Sequence, residues 1–243
     1  MKITADLMDF RDLNEQIRAT KDSNIEIDNC IGQRYIASGL SGKTLTIHGT
    51  PGNALGAYLN DCRIDVFGNA QDATGDTMNE GTIVIHGSCG DAAGYAMRGG
   101  KILIKENTGY RAGIHMKAYK DKIPVLVVGG KAGSFLGEYQ AGGLIIVLGL
   151  NLTGDETPVG YFCGTGMHGG KIFIRTKEPP CNMPEQVLVR EAGAEDLKEI
   201  EPHIDDFCRE FNVDKNEIYN EKFYLLTPNS NAPYKQLYAE NLN

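Results

Sequence analysis

The amino-acid sequence predicts a mainly β protein, built as a right-handed parallel β-helix of about seven turns with mixed α/β segments at both ends. Short strands with alternating apolar residues recur at a constant spacing, and glycine triplets follow most of them. The corners are glycine triplets, the insertions between repeats are uneven, and the repeats lack the six-residue apolar rhythm that marks left-handed β-helices. These observations favour the right-handed form.

The first apolar position of each strand advances by the same step through most of the repeats, and so does the position two places later. Because side chains alternate with period 2 along a strand, equivalent residues of stacked parallel strands align in columns. We therefore expect two inner columns of aliphatic side chains. The first column is Leu45, Ile64, Ile83, Ile102, Leu126, Ile145 and Ile172, and the second is Ile47, Val66, Ile85, Ile104, Val128, Val147 and Ile174.

Two steps of the first column are longer than the others, namely those from Ile102 to Leu126 and from Ile145 to Ile172. Stacked repeats tolerate insertions at their corners, so we predict inserted loops at residues 115–122 and 150–169. His115 and His168 lie in or beside these loops, where a functional site would be built. The simpler interpretation is that both are solvated loop histidines.

Glycine triplets with the spacing G-x-x-G-x-x-x-G follow several strands, and degraded copies follow others. Glycine allows positive φ angles and close backbone approach, so we assign these residues to structural corners. A nucleotide-binding loop is the alternative, but the spacing differs from G-x-G-x-x-G and the helix that such a loop requires is missing. The predicted corner residues are Gly49, Gly52, Gly56, Gly68, Gly75, Gly87, Gly90, Gly94, Gly109, Gly113, Gly130, Gly133 and Gly137.

The sequence pattern divides the chain into three segments. Residues 1–37 form an N-terminal cap, residues 38–177 the β-helix, and residues 178–243 a C-terminal helical cap with an extended tail. In the N-terminal cap, an amphipathic pattern predicts a helix at residues 9–20, and alternation predicts a strand at residues 24–31.

The C-terminal cap contains a helical stripe. Apolar residues at steps of three and four from Leu197 to Phe211 predict an amphipathic helix, kinked or restarted at Pro202. Its stripe either packs on the β-helix or docks a partner. Residues 223–226 predict a strand, and residues 228–243 predict an extended arm.

Composition and charge narrow the function classes. The net charge of −8 over 243 residues argues against nucleic acid or an anionic membrane as partner. No apolar stretch reaches the length of a membrane span, and the N-terminus lacks a signal-peptide pattern, so we expect a cytoplasmic protein. The six cysteines include no C-x-x-C pair, which favours buried, reduced thiols over a metal or cluster site.

The motifs of common hydrolases are missing, since neither G-x-S-x-G nor H-E-x-x-H occurs. His48 and His86 occupy equivalent strand positions two repeats apart, with Phe67 between them. Because these positions alternate away from the inner columns, we expect an outward-facing ladder rather than a metal or catalytic pair. We therefore predict no catalytic, cofactor-binding or metal-binding residue on this chain.

The glycine-triplet repeat resembles the GXGXG domain at the C-terminal end of the glutamate synthase large (alpha) subunit. The resemblance covers about residues 38–177 and is especially clear from Gly87 to Gly100 and from Lys131 to Tyr139. It implies a right-handed β-helix that acts as a structural wedge and carries no reaction of its own. In that family, other domains release ammonia from glutamine and use FMN and an iron–sulfur cluster to make glutamate from 2-oxoglutarate.

The resemblance implies that this chain is a stand-alone, non-catalytic subunit of a glutamate-synthase-like oxidoreductase complex. FMN and the iron–sulfur cluster would belong to a partner subunit, and a glutaminase subunit would complete the complex. A similar repeat occurs in a scaffold subunit of formylmethanofuran dehydrogenase and in N-methylglutamate-synthase-type enzymes, so a scaffold role in such a complex is an alternative. Two further alternatives are a free-standing enzyme with a site near His115 and His168, and a homo-oligomeric structural protein.

Overall fold

A computed structural model describes residues 1–154 and 156–229 of the chain. This part of the protein is mainly β, with one mixed sheet of 11 strands and three helices. The strands are β1 (Lys2–Thr4), β2 (Asn24–Ile31), β3 (Thr44–Thr50), β4 (Cys62–Phe67), β5 (Gly81–Ile85), β6 (Lys101–Ile104), β7 (Val125–Val128), β8 (Ala141–Val147), β9 (Gly169–Arg175), β10 (Val187–Glu191) and β11 (Phe223–Pro228). The helices are α1 (Phe10–Ala19), α2 (Ala194–Phe211) and α3 (Lys215–Tyr219). The arm predicted at residues 228–243 lies, beyond Asn229, outside the described residues.

The first nine strands pair in chain order as parallel neighbours. Leu45 faces Ile64 and Ile64 faces Ile83, and the same register continues to the last residue of each predicted inner column. Every side chain of the two columns is fully buried. Both predicted columns are therefore confirmed, and burial of each side chain contributes about 1.5–3 kcal/mol of gross stabilisation.

The N-terminal segment continues the same sheet. The predicted strand is confirmed as β2, which places Ile25 beside Leu45 in the first column. The predicted helix is confirmed as α1, whose first turn is capped by the Asp9 carboxylate accepting the Arg11 N–H at 2.9 Å. Leu13 and Ile17 are fully buried in the core that includes the inner columns.

The C-terminal segment ends the sheet with strands of opposite direction. The strand predicted at residues 223–226 is confirmed as β11, which runs antiparallel to β9, and β10 pairs with its other edge. The strand order at this end is therefore β9-β11-β10. Strands from all three segments predicted from the sequence join one sheet.

Helix α2 covers part of the outer face of the sheet. It runs through Pro202 as one helix, so the predicted restart does not occur. Its buried residues pack on outward-facing strand residues in a second apolar cluster, which lies on the other side of the strands from the inner columns. The covered strand residues are Val84, Leu103, Val127, Ile146 and Phe173. The helical stripe is thus used within the chain rather than left free for a partner.

Ion pairs also fasten α2 to the strands. The three strand cations belong to one outward column of the sheet and meet carboxylates spaced along the helix. The pairs are Arg63 with Glu210, Lys101 with Asp206, and Lys171 with Glu199. Because carboxylates along α2 pair with cations on strands from β4 to β9, the helix lies across the strands. In the part of the chain with assigned structure, no helix has the length and hydrophobicity needed to cross a membrane.

Candidate functional site

The corners between strands contain a backbone pattern in which every second residue is left-handed. Ala54, Gly56 and Tyr58 have φ angles of 62°, 63° and 56°. The N–H groups of Ala54 and Tyr58 bond to carbonyls of the following repeat, whereas the N–H of Gly56 bonds to a carbonyl of the preceding one. The pattern recurs in residues 35–39, 73–77, 92–96, 111–115, 135–139 and 162–166. Each corner between the first and the last of these is thereby hydrogen-bonded to both of its neighbours.

The third glycine of each triplet is the central left-handed residue. A Cβ atom added to Gly75 or Gly113 would lie 2.4 Å from the Cδ1 atom of an inner-column isoleucine, and one added to Gly56 or Gly137 would lie 2.7 Å away. Gly94 has the same left-handed backbone, but its nearest contact would be an ordinary 3.7 Å. Inner isoleucines therefore reach across the interior and touch the corner backbone.

The first two glycines of each triplet lie where successive repeats touch. A Cβ atom on Gly49 or Gly68 would lie 2.3 or 2.2 Å from a backbone carbonyl oxygen of the preceding repeat. On Gly90 or Gly109 it would lie 2.3 or 2.0 Å from the carboxylate oxygen of Asp72 or Asp91. Gly52, Gly87, Gly130 and Gly133 make similar close contacts. Protein atoms thus fill the space that a phosphate would need at these corners.

Polar side chains at the corners form a further ladder, which the sequence pattern did not predict. The Asp72 carboxylate accepts the Asp91 N–H at 2.9 Å, and the Asp91 carboxylate accepts the Tyr110 N–H at 2.8 Å. Equivalent bonds run from Ser88 N–H to Asn69, from Lys131 N–H to Asn107 and from Tyr161 N–H to the Ser134 hydroxyl. A polar residue directly after a corner glycine, as in Gly90-Asp91, is the sequence signal for this ladder.

The predicted outward ladder of His48, Phe67 and His86 is confirmed. The His48 and Phe67 ring centroids are 5.3 Å apart, and those of Phe67 and His86 are 4.3 Å apart, with nearly parallel planes. His86 also meets the edge of Phe211 on α2 at 5.3 Å. Burial lowers the pKa of the His86 imidazole, which favours its neutral form. These rings therefore stack beside the end of α2.

One group of three potential metal ligands is found among the residues with described positions, namely Glu26, Asp28 and His48. The Lys2 ammonium lies 3.1 Å from a Glu26 carboxylate oxygen and 2.7 Å from one of Asp28. His48 Nε2 lies 3.6 Å from Glu26. Since Lys2 already forms an ion pair with each carboxylate, ion pairing between the first three strands accounts for the cluster.

The two loop histidines are not brought together. The His115 ring stacks on Tyr139 at 5.2 Å and meets the edge of Tyr95 at 6.0 Å. His168 lies two repeats further along the stack than His115, and its Nδ1 atom is 3.3 Å from the carbonyl oxygen of Gly166. Two repeats correspond to about 10 Å. The structure therefore gives no paired imidazole site at these positions.

The insertion at residues 115–122 contains a small hairpin. Tyr119 and Lys122 exchange two backbone hydrogen bonds of 3.0 Å, with the left-handed residue Lys120 between them. The second insertion, residues 150–169, borders two adjoining grooves. One groove, of about 470 Å³, contains Tyr110 and Tyr161, and the other, of about 410 Å³, contains Tyr161 and Cys181. Neither groove is lined by His115 or His168.

The cysteines are free thiols spread through the fold. Cys30, Cys62, Cys89 and Cys163 are buried, as the sequence predicted, whereas Cys181 is exposed and Cys208 is only half-buried. Burial raises the pKa of Cys30 and Cys89 to about 11 and that of Cys163 to about 12. Such thiols are poor nucleophiles and poor metal ligands. They do not form a set of ligands for an iron–sulfur cluster.

Comparison with known proteins identifies a family model and a relative that match this chain. A family model described as the GXGXG motif matches residues 11–229. An uncharacterized protein of Methanocaldococcus jannaschii is 45% identical over 252 aligned positions, which cover 99% of this chain and 97% of that protein. The family match therefore extends beyond residues 38–177 into both terminal segments.

Proposed function

Because the chain belongs to the GXGXG motif family, the domain type of the glutamate synthase alpha subunit, we propose that it is a structural, non-catalytic subunit of a glutamate-synthase-like complex. The observation that carries the proposal is the family match over residues 11–229. Ammonia-dependent reductive amination of 2-oxoglutarate would take place on partner subunits. One partner would hold FMN and an iron–sulfur cluster, and another would be a glutaminase.

The geometry of the corners supports a structural role. Both inner columns are fully buried, and the corner glycines contact protein atoms of neighbouring repeats. The His48 and His115 rings stack on neighbouring aromatic rings. Two of the side chains that a catalytic function could use are therefore engaged in ring stacking.

We also infer that the stack is a right-handed parallel β-helix of about seven turns, because parallel crossover connections are almost always right-handed. A second parallel ladder of single bridges supports a coiled stack over an open sheet. It joins Ala70, Cys89, Thr108, Ala132 and Val159 in successive repeats. An experimental structure that traces the backbone tests the inference, and an open sheet or left-handed winding would refute it.

The residues of this chain do not fit the cofactors of the complex. The thiols are dispersed, and most are buried with raised pKa values. The glycine corners are filled where a flavin phosphate would have to bind. We therefore place FMN and the cluster on a partner subunit.

Isolation of the tagged chain from its native cells tests the proposal. The eluate is analysed by mass spectrometry and by its visible absorption spectrum. We expect a flavin and iron–sulfur subunit and a glutaminase to co-purify, and the chain expressed alone to carry no flavin.

Other results would redirect the assignment. Co-purification of molybdenum or tungsten subunits would place the chain in a formylmethanofuran-dehydrogenase-like complex. Co-purification of N-methylglutamate-forming subunits would place it in an N-methylglutamate-synthase-like complex. A chain that elutes alone would overturn the proposal, and the inserted loops at residues 115–122 and 150–169 would then be assayed for activity.

A further inference from the structure

The hairpin of the first insertion lies at a corner that collects positive charge. Lys117 donates its N–H to Met97 and Arg98 donates its N–H to Met78, so the two cations occupy equivalent positions in adjacent repeats. The hairpin packs on this repeat, because a Cβ on Gly99 would lie 3.0 Å from the Lys122 Cβ. Lys120 at the hairpin turn adds a third charge. We call Arg98, Lys117 and Lys120 the cationic corner.

The charges of the cationic corner are not neutralised within the part of the chain that the structure describes. All three side chains are exposed, and none forms an ion pair with a carboxylate there. Neighbouring cations differ, since Arg111 pairs with Glu138 and Lys122 pairs with Glu80. An unpaired cationic cluster is unexpected on a chain whose net charge is −8.

Apolar surface adjoins the cationic corner. Tyr119 and Ile123, at the two ends of the hairpin, are each 56% exposed. A shallow groove of about 450 Å³, which Asp61 and Glu80 also line, runs from Lys122 and Ile123 to His203 on α2. Exposed apolar residues with a charged rim are typical of a protein–protein contact.

We infer that the cationic corner docks an acidic segment of a partner subunit, with its carboxylates on Arg98, Lys117 and Lys120 and an apolar side chain against Tyr119 and Ile123. This inference rests on the proposed assembly function. Charge complementarity selects the acidic partner. A protein is favoured over nucleic acid because the acidic chain repels a polyanion and because the corner exposes apolar side chains.

Charge reversal in the native complex tests the inference. The variant R98E/K117E/K120E is compared with K21E/K105E/K177E, which makes the same change of net charge at exposed lysines outside the corner that form no ion pair within the described ranges. Affinity for the co-purifying subunit is measured at low and high salt. A carbodiimide crosslinker, which joins lysines to carboxylates, maps Lys117 and Lys120.

We expect the corner variant to bind about 10-fold more weakly or worse, and the control to change less than about twofold. Wild-type binding should weaken with salt, and crosslinks should join Lys117 or Lys120 to acidic residues of the partner. Equal affinity of the two variants would overturn the docking site while leaving the assembly function intact. If the wild-type chain binds no subunit, both proposals fail. Binding that nuclease abolishes would replace the protein partner by nucleic acid.

Discussion

At the scale of single residues, the corners show how a costly backbone conformation becomes tolerable through repetition. A left-handed residue other than glycine costs about 1–2 kcal/mol, yet Ala54, Tyr58, Arg111 and His115 all adopt it. The N–H of each bonds to a carbonyl of the following repeat, which offsets part of that cost. Glycine occupies the central position of the corners that follow the glycine triplets, where a side chain would point into the core, whereas Ala37 takes this position in residues 35–39.

Gly75→Ala and Gly94→Ala separate backbone strain from steric conflict. Both residues have positive φ angles, but only the Gly75 Cβ would collide with Ile102 Cδ1, at 2.4 Å. We expect Gly94→Ala to cost about 1 kcal/mol of unfolding free energy and Gly75→Ala about 1–3 kcal/mol more. Urea unfolding measures both. Equal losses would show that the isoleucine moves aside without cost.

Ile83→Asp tests the register of the inner column. Ile83 is fully buried between Ile64 and Ile102, so the carboxylate would have no partner. We expect a loss of about 3–5 kcal/mol in unfolding free energy. Thr82→Asp is the matched control, because Thr82 faces outward between Arg63 and Lys101 in the sheet. If Ile83→Asp were as stable as this control, the inner column would be wrongly assigned.

At the scale of elements, α2 explains why the strands beneath it lose their alternation. Residues 125–128 and 144–148 are continuous apolar runs, since one face of these strands meets the interior and the other meets the helix. In β3 the outward residues remain polar and half-buried, with alternating burial. Helix and sheet therefore share an apolar layer at one end of the stack.

Protonation of two histidines should loosen this layer. Burial lowers the pKa of His86 and of His203 below the ordinary 6.5. The unfolded chain binds protons as the pH falls through 6.5 while the folded histidines stay neutral, so stability decreases on acidification. We expect unfolding free energy to fall between about pH 7.5 and about pH 5.5, and the slope to be smaller in H86N/H203N. An unchanged slope in the double variant would assign the effect to other groups.

At the scale of the whole molecule, one sheet of 11 strands gives a stack about 50 Å long. Each repeat contacts only its neighbours, so local stability depends on how many faces of a strand are covered. The central strands β5–β8 are covered on both faces, whereas β1 and β10 are the two edges.

Hydrogen exchange should follow this gradient. We expect the slowest amide exchange in β6 and β7, intermediate exchange in β3 and the fastest in β1 and β10. Mass spectrometry of peptides from each strand measures the rates. Uniform protection from β1 to β10 would show that the stack opens as a single unit.

Most of the strand stack could be predicted from the sequence, because the constant step from Leu45 to Ile64 and Ile83 repeats every contact of the core. The order β9-β11-β10 could not, since β11 is inserted between two strands that precede it in the chain. The left-handed alanines and aromatic residues of the corners carry no local signal, because their conformation depends on bonds to other repeats.

Part of the candidate docking site could also be predicted from the repeat. Arg98 and Lys117 are separated by the same step as Ile64 and Ile83, so the repeat places them side by side. The sequence alone did not show that these two cations have no partner carboxylate among the described residues. Ion pairs such as Glu80 with Lys122 join residues of different repeats through the hairpin, so they depend on the folded structure.

The constant register also has a consequence for how such chains can change length over time. Loss of residues 63–81 would place Leu45 beside Ile83 with the hydrogen-bonding frame intact. Duplication of the same stretch would add one more layer. Molecular length in this lineage can therefore change only in steps of about 4.8 Å. An evolving assembly could adjust the separation of two bound surfaces in these increments while keeping both termini as they are.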